Sequence, residues 1–435
     1  MTQLMPLDHS VLPPGIRARF VNNGNGLNMH VLEAGFDHPG RPSILLLHGF
    51  PELAYSWRKV ILPLARAGFH VIAPDQRGYG RTSGGDSDYD GDVGSSGLLN
   101  LATDALGLIA ALGYRSVTCV VGHDFGSPVA AYCALIRPDV FRSVVLMSAP
   151  FAGSPSLPFN SAIEDSRATA NSAKKRSAEN TRSTTASSRA SADVNAPAAA
   201  SYSSKEHALP AKASSVASID ADMAALDPPR KHYQWYYSSR EANEDMHHCP
   251  QGVHSFLRAY YHYKSADWKQ NKPFRLKCWS ATELAQLPAY YVMERARGMA
   301  ETVASQMPSA AEIEACRWLT ERELSVYSAE YGRNGFQGGL QWYRCRTDER
   351  YGAELKIFSG RTIDVPSCFI AGKSDWGIYQ RPGDIEAMQN SACTRMQGSH
   401  LVDGAGHWVQ QEQAEEVTRL LLDFLQAQTL PHREA

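Results

Sequence analysis

The stretch Val120-Val121-Gly122-His123-Asp124-Phe125-Gly126 decides the fold. A β-rich apolar run ends there in Gly-X-Asp-X-Gly and opens into the helix-forming sequence Ser127 to Ile136. Small residues flanking a reactive one permit a tight strand-to-helix turn that exposes that side chain. Serine at this point would imply acyl transfer. A carboxylate implies attack on saturated carbon through an alkyl-enzyme ester, and makes epoxides and alkyl halides the leading substrate classes.

Upstream, Arg17 to Asn22 and Met29 to Ala34 predict two short strands joined by Asn23-Gly24-Asn25-Gly26, a turn sequence suited to positive φ. Ser43 to Leu47 is a continuous apolar run, as for a strand buried on both faces. Val60 to Ala67 has helical periodicity, Val71 to Pro74 predicts a strand, and Leu98 to Leu112 predicts an amphipathic helix ended by Gly113. Val117 to Val121 leads into the elbow, and Ser143 to Met147 predicts the next strand. This βαβα alternation implies a mostly parallel central sheet flanked by helices.

After Pro150 the composition changes. From Asn160 to Asp220 about half the positions are Ser or Ala and aromatic residues are almost absent, which predicts a disordered insertion with no core of its own. Aromatic-rich helical sequence resumes near Arg230 and runs to about Tyr351, and Ser367 to Ala371 restores a sheet strand. The expected organisation is a core in two parts, 1–150 and 366–435, with an inserted helical cap over 151–365. The last segment carries Gly404-Ala405-Gly406-His407-Trp408 and an amphipathic helix from Gln413 to Gln426. A histidine in a Gly-rich loop after the last strand is where this chain order places a base.

At 435 residues, 43% of them hydrophobic, the chain can fill a large core plus a smaller inserted unit. A formal net charge of -2 provides no footprint for nucleic acid or acidic membranes, so a small neutral molecule is the expected partner. Eight scattered cysteines without a CxxC pair predict buried free thiols in a reducing compartment. Met1 to Pro14 lacks a cationic segment followed by an apolar stretch, no run is long enough to span a bilayer, and a cytoplasmic location is expected. No dinucleotide fingerprint occurs, so no cofactor is expected. His247, His248, Cys249 and His254 hold potential metal ligands, but adjacent histidines diverge on a helix, and no metal is expected.

With these motifs in hand, the chain resembles the epoxide hydrolases of the α/β-hydrolase fold. His48-Gly49-Phe50-Pro51-Glu52-Leu53-Ala54-Tyr55-Ser56-Trp57-Arg58 is similar to that family's oxyanion-hole segment, and Gly122 to Gly126 to its nucleophile elbow. Gly335-Phe336-Gln337-Gly338-Gly339-Leu340-Gln341-Trp342-Tyr343-Arg344 resembles the lid motif whose tyrosine holds the epoxide oxygen. The resemblance implies Asp124 as nucleophile, His407 as base and Asp375 as its acidic partner, with Asp403 as the alternative acid. It implies the backbone N–H groups of Phe50 and Phe125 as oxyanion donors. Tyr343 and Tyr233 are the implied ring-opening acids, with Tyr236 or Tyr237 as substitutes for Tyr233. His48, Pro51, Trp57, Trp342 and Trp408 are expected around the substrate.

Bland readings compete with these. Asp124 could cap the following helix, and Asp375 could cap the turn after its strand. Asp75-Gln76-Arg77-Gly78-Tyr79-Gly80-Arg81 fits scaffold duty. The nearest rival function is a haloalkane or haloacetate dehalogenase using the same Asp and His, but the Phe125 side chain, unlike a tryptophan or arginine there, offers no N–H to a departing halide. A non-catalytic α/β-hydrolase-like protein that senses a small ligand is the alternative of a different class.

Overall fold

The computed structural model describes residues 4–157 and 216–429. Ten strands occur in the described residues: β1 (Arg17–Asn22), β2 (Asn28–Ala34), β3 (Ser43–Leu47), β4 (His70–Pro74), β5 (Cys119–His123), β6 (Val144–Met147), β7 (Arg230–His232), β8 (Val292–Glu294), β9 (Ser367–Gly372) and β10 (Met396–Val402). Eight of them form one sheet in the order β1-β2-β4-β3-β5-β6-β9-β10. The β1–β2 and β2–β4 pairs are antiparallel and every other pair is parallel. Parallel neighbours need crossovers, and the helices Arg58–Arg66, Leu98–Ala111 and Gly126–Ile136 lie in three of them. These helices cover the sheet, so every residue of β3, β4, β5 and β6 is buried, which is why these strands read as unbroken apolar runs.

The expected elements are present with small shifts at their ends. β5 starts at Cys119 rather than Val117, which makes only an isolated bridge to Phe141. β10 is absent from the sequence reading because it is an edge strand, Met-Gln-Gly-Ser-His-Leu-Val, whose partly exposed and exposed positions alternate up to a single buried end at Val402. The three-residue strands β7 and β8 pair antiparallel within the helical region and were too short to carry a periodic signal.

That region lies between β6 and β9, with principal helices at Gly252–Lys264, Glu321–Asn334 and Gln337–Thr347. Thr320 and Glu323 form a reciprocal capping box at the start of the second. Gly335, at φ 65°, makes the turn into the third. Of the expected disordered stretch, 160–215 lies outside the described residues. Its end is corrected: a helix spans Val216–Ala224, where Ile219 and Met223 bury their side chains and so supply the apolar contacts that the Ser/Ala composition lacks.

The buried Arg58 guanidinium ties the helical region to the sheet layer. Its Nε reaches Glu323 at 2.8 Å, Nη1 reaches Gln411 at 2.7 Å, and Nη2 donates to the Trp318 carbonyl at 3.0 Å. Burial works against this cation, but the surrounding acceptors leave its pKa raised.

Candidate active site

Asp124 sits at φ 51°, a left-handed conformation rare for a residue with a side chain, between the end of β5 and the helix Gly126–Ile136. Only glycine fits on either side. A Cβ at Gly122 would lie 2.0 Å from the Gly126 carbonyl oxygen, and one at Gly126 would lie 2.4 Å from that of Leu47. Gly49 is equally confined, since a Cβ there would meet the Asp124 carboxylate at 2.4 Å. This approach lets the Phe50 N–H donate to Asp124 Oδ1 at 3.0 Å. The Phe125 N–H makes no hydrogen bond with the described residues, so of the two expected donors only that of Phe50 engages the carboxylate.

His407 Nε2 stands 3.3 Å from Asp124 Oδ2, without the alignment of a hydrogen bond. Its Nδ1 faces both oxygens of Asp375, at 3.1 and 3.2 Å. A carboxylate there orients the ring through Nδ1 and turns Nε2 toward Asp124. Asp375 is buried and also accepts the Gly377 N–H at 2.7 Å. Burial raises its pKa, but His407 and these donors outweigh it, so the carboxyl is held below its ordinary value. For Asp124 burial again opposes ionisation, and His407, Lys264 and His123 together hold it well below the ordinary range. Asp403 instead pairs with Lys373 at 2.7 Å on the exposed surface.

Two acids hold this arrangement, Glu52 fully buried and Glu412 half-buried, and no local sequence signal marks either. Glu52 Oε2 accepts the Gly49 N–H at 3.0 Å and faces His123 Nδ1 at 2.5 Å, while Oε1 accepts from Gln410 at 2.7 Å. The other nitrogen of His123 lies 2.7 Å from the His407 carbonyl oxygen. Both partners are acceptors, so the ring donates twice, as an imidazolium. Glu412 accepts the N–H groups of Ala266, Gly406 and Trp408 at 2.8, 2.9 and 2.9 Å, which pins the backbone on both sides of His407. Burial pushes its carboxyl up to about 8 against the pull of those three donors.

The Tyr343 helix, Gln337–Thr347, docks through glycine. Gly338 and Gly78 touch backbone to backbone, since a Cβ on Gly338 would lie 2.1 Å from the Gly78 oxygen. This contact carries out the scaffold role expected of residues 75–81. The Tyr343 ring then packs edge-on against Phe50 and Phe125, with centroids 5.6 and 5.4 Å away. Tyr233, in the helix Tyr233–Tyr237, lies 5.9 Å from Tyr343 between ring centroids. Its hydroxyl donates to Gln380 Oε1 at 3.3 Å and accepts from Gln234 at 3.1 Å. Burial, with the Asp124 charge adding to it, raises both phenols above their ordinary pKa. The substitutes are engaged elsewhere: Tyr236 donates to Asp245, and Tyr237 donates to Tyr260 at 3.2 Å.

A cavity of about 300 Å³ adjoins this cluster. Phe125, Trp342, Ile378, Gln380 and Arg381 are on its wall, so it touches the chain neighbours of Asp124 and Tyr343 and the acceptor of Tyr233. Of the five expected pocket residues only Trp342 lines it. His48 is buried with its Nε2 accepting the Gln76 N–H at 3.1 Å, and Pro51 accepts from Tyr261 through its carbonyl at 3.0 Å. Trp57 is fully buried beside the first helix, and Trp408 donates to the Tyr261 carbonyl at 2.8 Å. Pro51 and Trp408 thus meet the helical region at Tyr261, and His48 braces the Gly49 loop against Gln76.

The rings of His247 and His248, expected to diverge, lie 4.4 Å apart because His248 already leaves the helix, yet they engage different partners, the Gly332 carbonyl and Glu244, while His254 faces Ser328 and Glu321. All eight cysteines are free, and Cys119, Cys133, Cys249, Cys345, Cys368 and Cys393 are buried. Among the described residues no helix is long and apolar enough to cross a membrane.

Residues 42–414 match the family model of the alpha/beta hydrolase fold. Epoxide hydrolase A of Mycobacterium tuberculosis is 30% identical over 92% of this chain and 95% of its own length. A solved epoxide hydrolase from an endophytic Streptomyces superposes with a TM-score of 0.68 at 26% identity, covering 96% of this chain and 97% of that one. Epoxide hydrolase A from Mycobacterium thermoresistibile gives 0.65 at 28% identity, over 94% and 98%. With an aspartate at the elbow of a sheet in this order and relatives matched along nearly their whole length, the chain belongs to the α/β-hydrolase fold family, among the epoxide hydrolases.

Proposed function

We propose that this enzyme converts an epoxide to a vicinal diol in two covalent steps. Asp124 attacks a ring carbon, the C–O bond breaks, and the departing oxygen takes a proton from Tyr343 or Tyr233. His407, oriented by Asp375, then removes a proton from water, which adds to the ester carbon of Asp124. The N–H groups of Phe50 and Phe125 receive the oxyanion. Collapse breaks the ester bond, the leaving oxygen takes the proton from His407 to complete the diol, and the second water proton returns to the phenolate, which restores both the tyrosine and the Asp124 carboxylate.

The single observation carrying this reading is the tyrosine pair, with rings 5.9 Å apart and Tyr343 packed on Phe50 and Phe125 beside Asp124. An alkoxide requires proton donors, whereas a departing halide does not. Phenols raised above their ordinary pKa stay protonated at neutral pH and can serve as those donors. In this reading the helical region between β6 and β9 acts as the cap, and a cytoplasmic location is supported by the free thiols.

The test sets diol formation from styrene oxide beside halide release from chloro- and bromoalkanes. Diol without halide is expected. Halide release alone would make the enzyme a dehalogenase, and neither product would favour a binding protein.

A further inference from the structure

Lys264 ends the helix Gly252–Lys264 and is only 3% exposed, which is unusual for a lysine. Among the described residues no carboxylate comes within 4 Å of its Nζ. Four aromatic rings surround it instead: Tyr291 at 5.0 Å, Tyr260 at 5.3 Å, Trp408 at 5.4 Å and Tyr290 at 5.7 Å from the centroids. A desolvated ammonium over ring faces is held by the aromatic quadrupoles. The same residue touches the base loop through its backbone, because its carbonyl accepts the His407 N–H at 2.9 Å.

We propose that Lys264 is a positioning residue of this site, a caged ammonium whose fixed charge favours return of negative charge to Asp124 during ester hydrolysis. The inference rests on the epoxide hydrolase reading. Charged groups acting on Lys264 are Asp124, Asp375 and Glu52. Burial lowers its pKa and these three carboxylates work against that. Each half-reaction moves charge in an opposite sense. In ring opening, an electron pair leaves the Asp124 carboxylate for the new C–O bond, and charge departs to the epoxide oxygen. A nearby cation resists this. In hydrolysis, water oxygen bonds to the Asp124 Cγ while its proton goes to His407 Nε2, and the carbonyl pair moves onto oxygen. The ester C–O bond then breaks, the alkoxide takes the proton from His407, and the second water proton passes from the Asp124 carboxyl to the phenolate left by ring opening, so that Asp124 is a carboxylate again. A nearby cation assists every stage in which that oxygen gains charge.

Two measurements test this. In single turnovers with styrene oxide, K264M should slow breakdown of the alkyl-enzyme about tenfold while its formation is unchanged or faster, so that the ester accumulates by mass spectrometry. K264R should restore breakdown. Equal slowing of both halves, or no change in breakdown, would overturn the proposal. Independently of any variant's folding, NMR of ε-carbon-labelled lysine in the wild-type enzyme should report a charged Lys264 throughout the active pH range. A neutral amine at pH 7 would overturn it. Wild-type protein that opens no epoxide would instead overturn the functional reading, and is distinguishable from either result.

Discussion

Glu52 and His123 meet at 2.5 Å in full burial beneath the elbow, and this contact joins the Gly49 loop to the backbone of His407. Burial opposes both charges, but their attraction leaves Glu52 below and His123 above their ordinary values. A raised histidine contributes stability that is complete below its unfolded value and lost as pH rises through the folded one. A lowered glutamate contributes stability present above its unfolded value and lost as pH falls through the folded one. The pair therefore supports the fold most fully between about pH 4.3 and 6.5. In H123Q, which strands Glu52, thermal melting should show a loss of about 3 kcal/mol and a flatter decline above pH 6.5.

Gly338 should tolerate no side chain. G338A places a methyl against the Gly78 carbonyl and displaces the helix bearing Tyr343, at a cost of about 1–3 kcal/mol. Steady-state kinetics should register a larger fall in kcat than the melting temperature alone suggests, because Tyr343 moves relative to Asp124.

The tyrosines separate by role. Y343F and Y233F should each lower the rate of ester formation by about 10²-fold, and the double variant should be inactive. Y236F, which removes only the bond to Asp245, should leave ester formation unchanged. Stopped-flow single turnovers distinguish these outcomes.

Asp375 and Asp403 also divide cleanly. D375N forces an amide against His407 Nδ1 and should cost at least about 10²-fold in turnover, whereas D403N removes only an exposed pair with Lys373 and should be silent. The comparison is made by kcat at one fixed pH.

Glu412 supports the base through backbone alone. E412A leaves three N–H groups without their acceptor, and should destabilise the fold by about 3 kcal/mol. With His407 proposed as the base of the second step, ester breakdown should slow more than ester formation, which mass spectrometry of quenched turnovers would detect.

Most of the sheet and the positions of Asp124, Asp375, His407, Tyr233 and Tyr343 were legible because each depends on local signals: unbroken apolar runs, glycines flanking an elbow, and motif order along the chain. β10 was not, since an edge strand with alternating polar residues resembles a loop. Glu52, His123, Lys264 and Glu412 were also hidden. Their partners come from segments far apart in sequence, so nothing local distinguishes them from solvated charges. Trp57 and Trp408, expected around the substrate, are fully buried and off the wall of the adjoining cavity, since large aromatic rings suit a pocket and a packed interior equally well.

Asp124 as a covalent nucleophile is tested by one turnover of excess enzyme with styrene oxide in heavy-oxygen water. The first diol should carry ordinary oxygen from the Asp124 carboxylate, with the label found in the enzyme. Heavy oxygen in that first diol, and none in Asp124, would contradict the covalent mechanism.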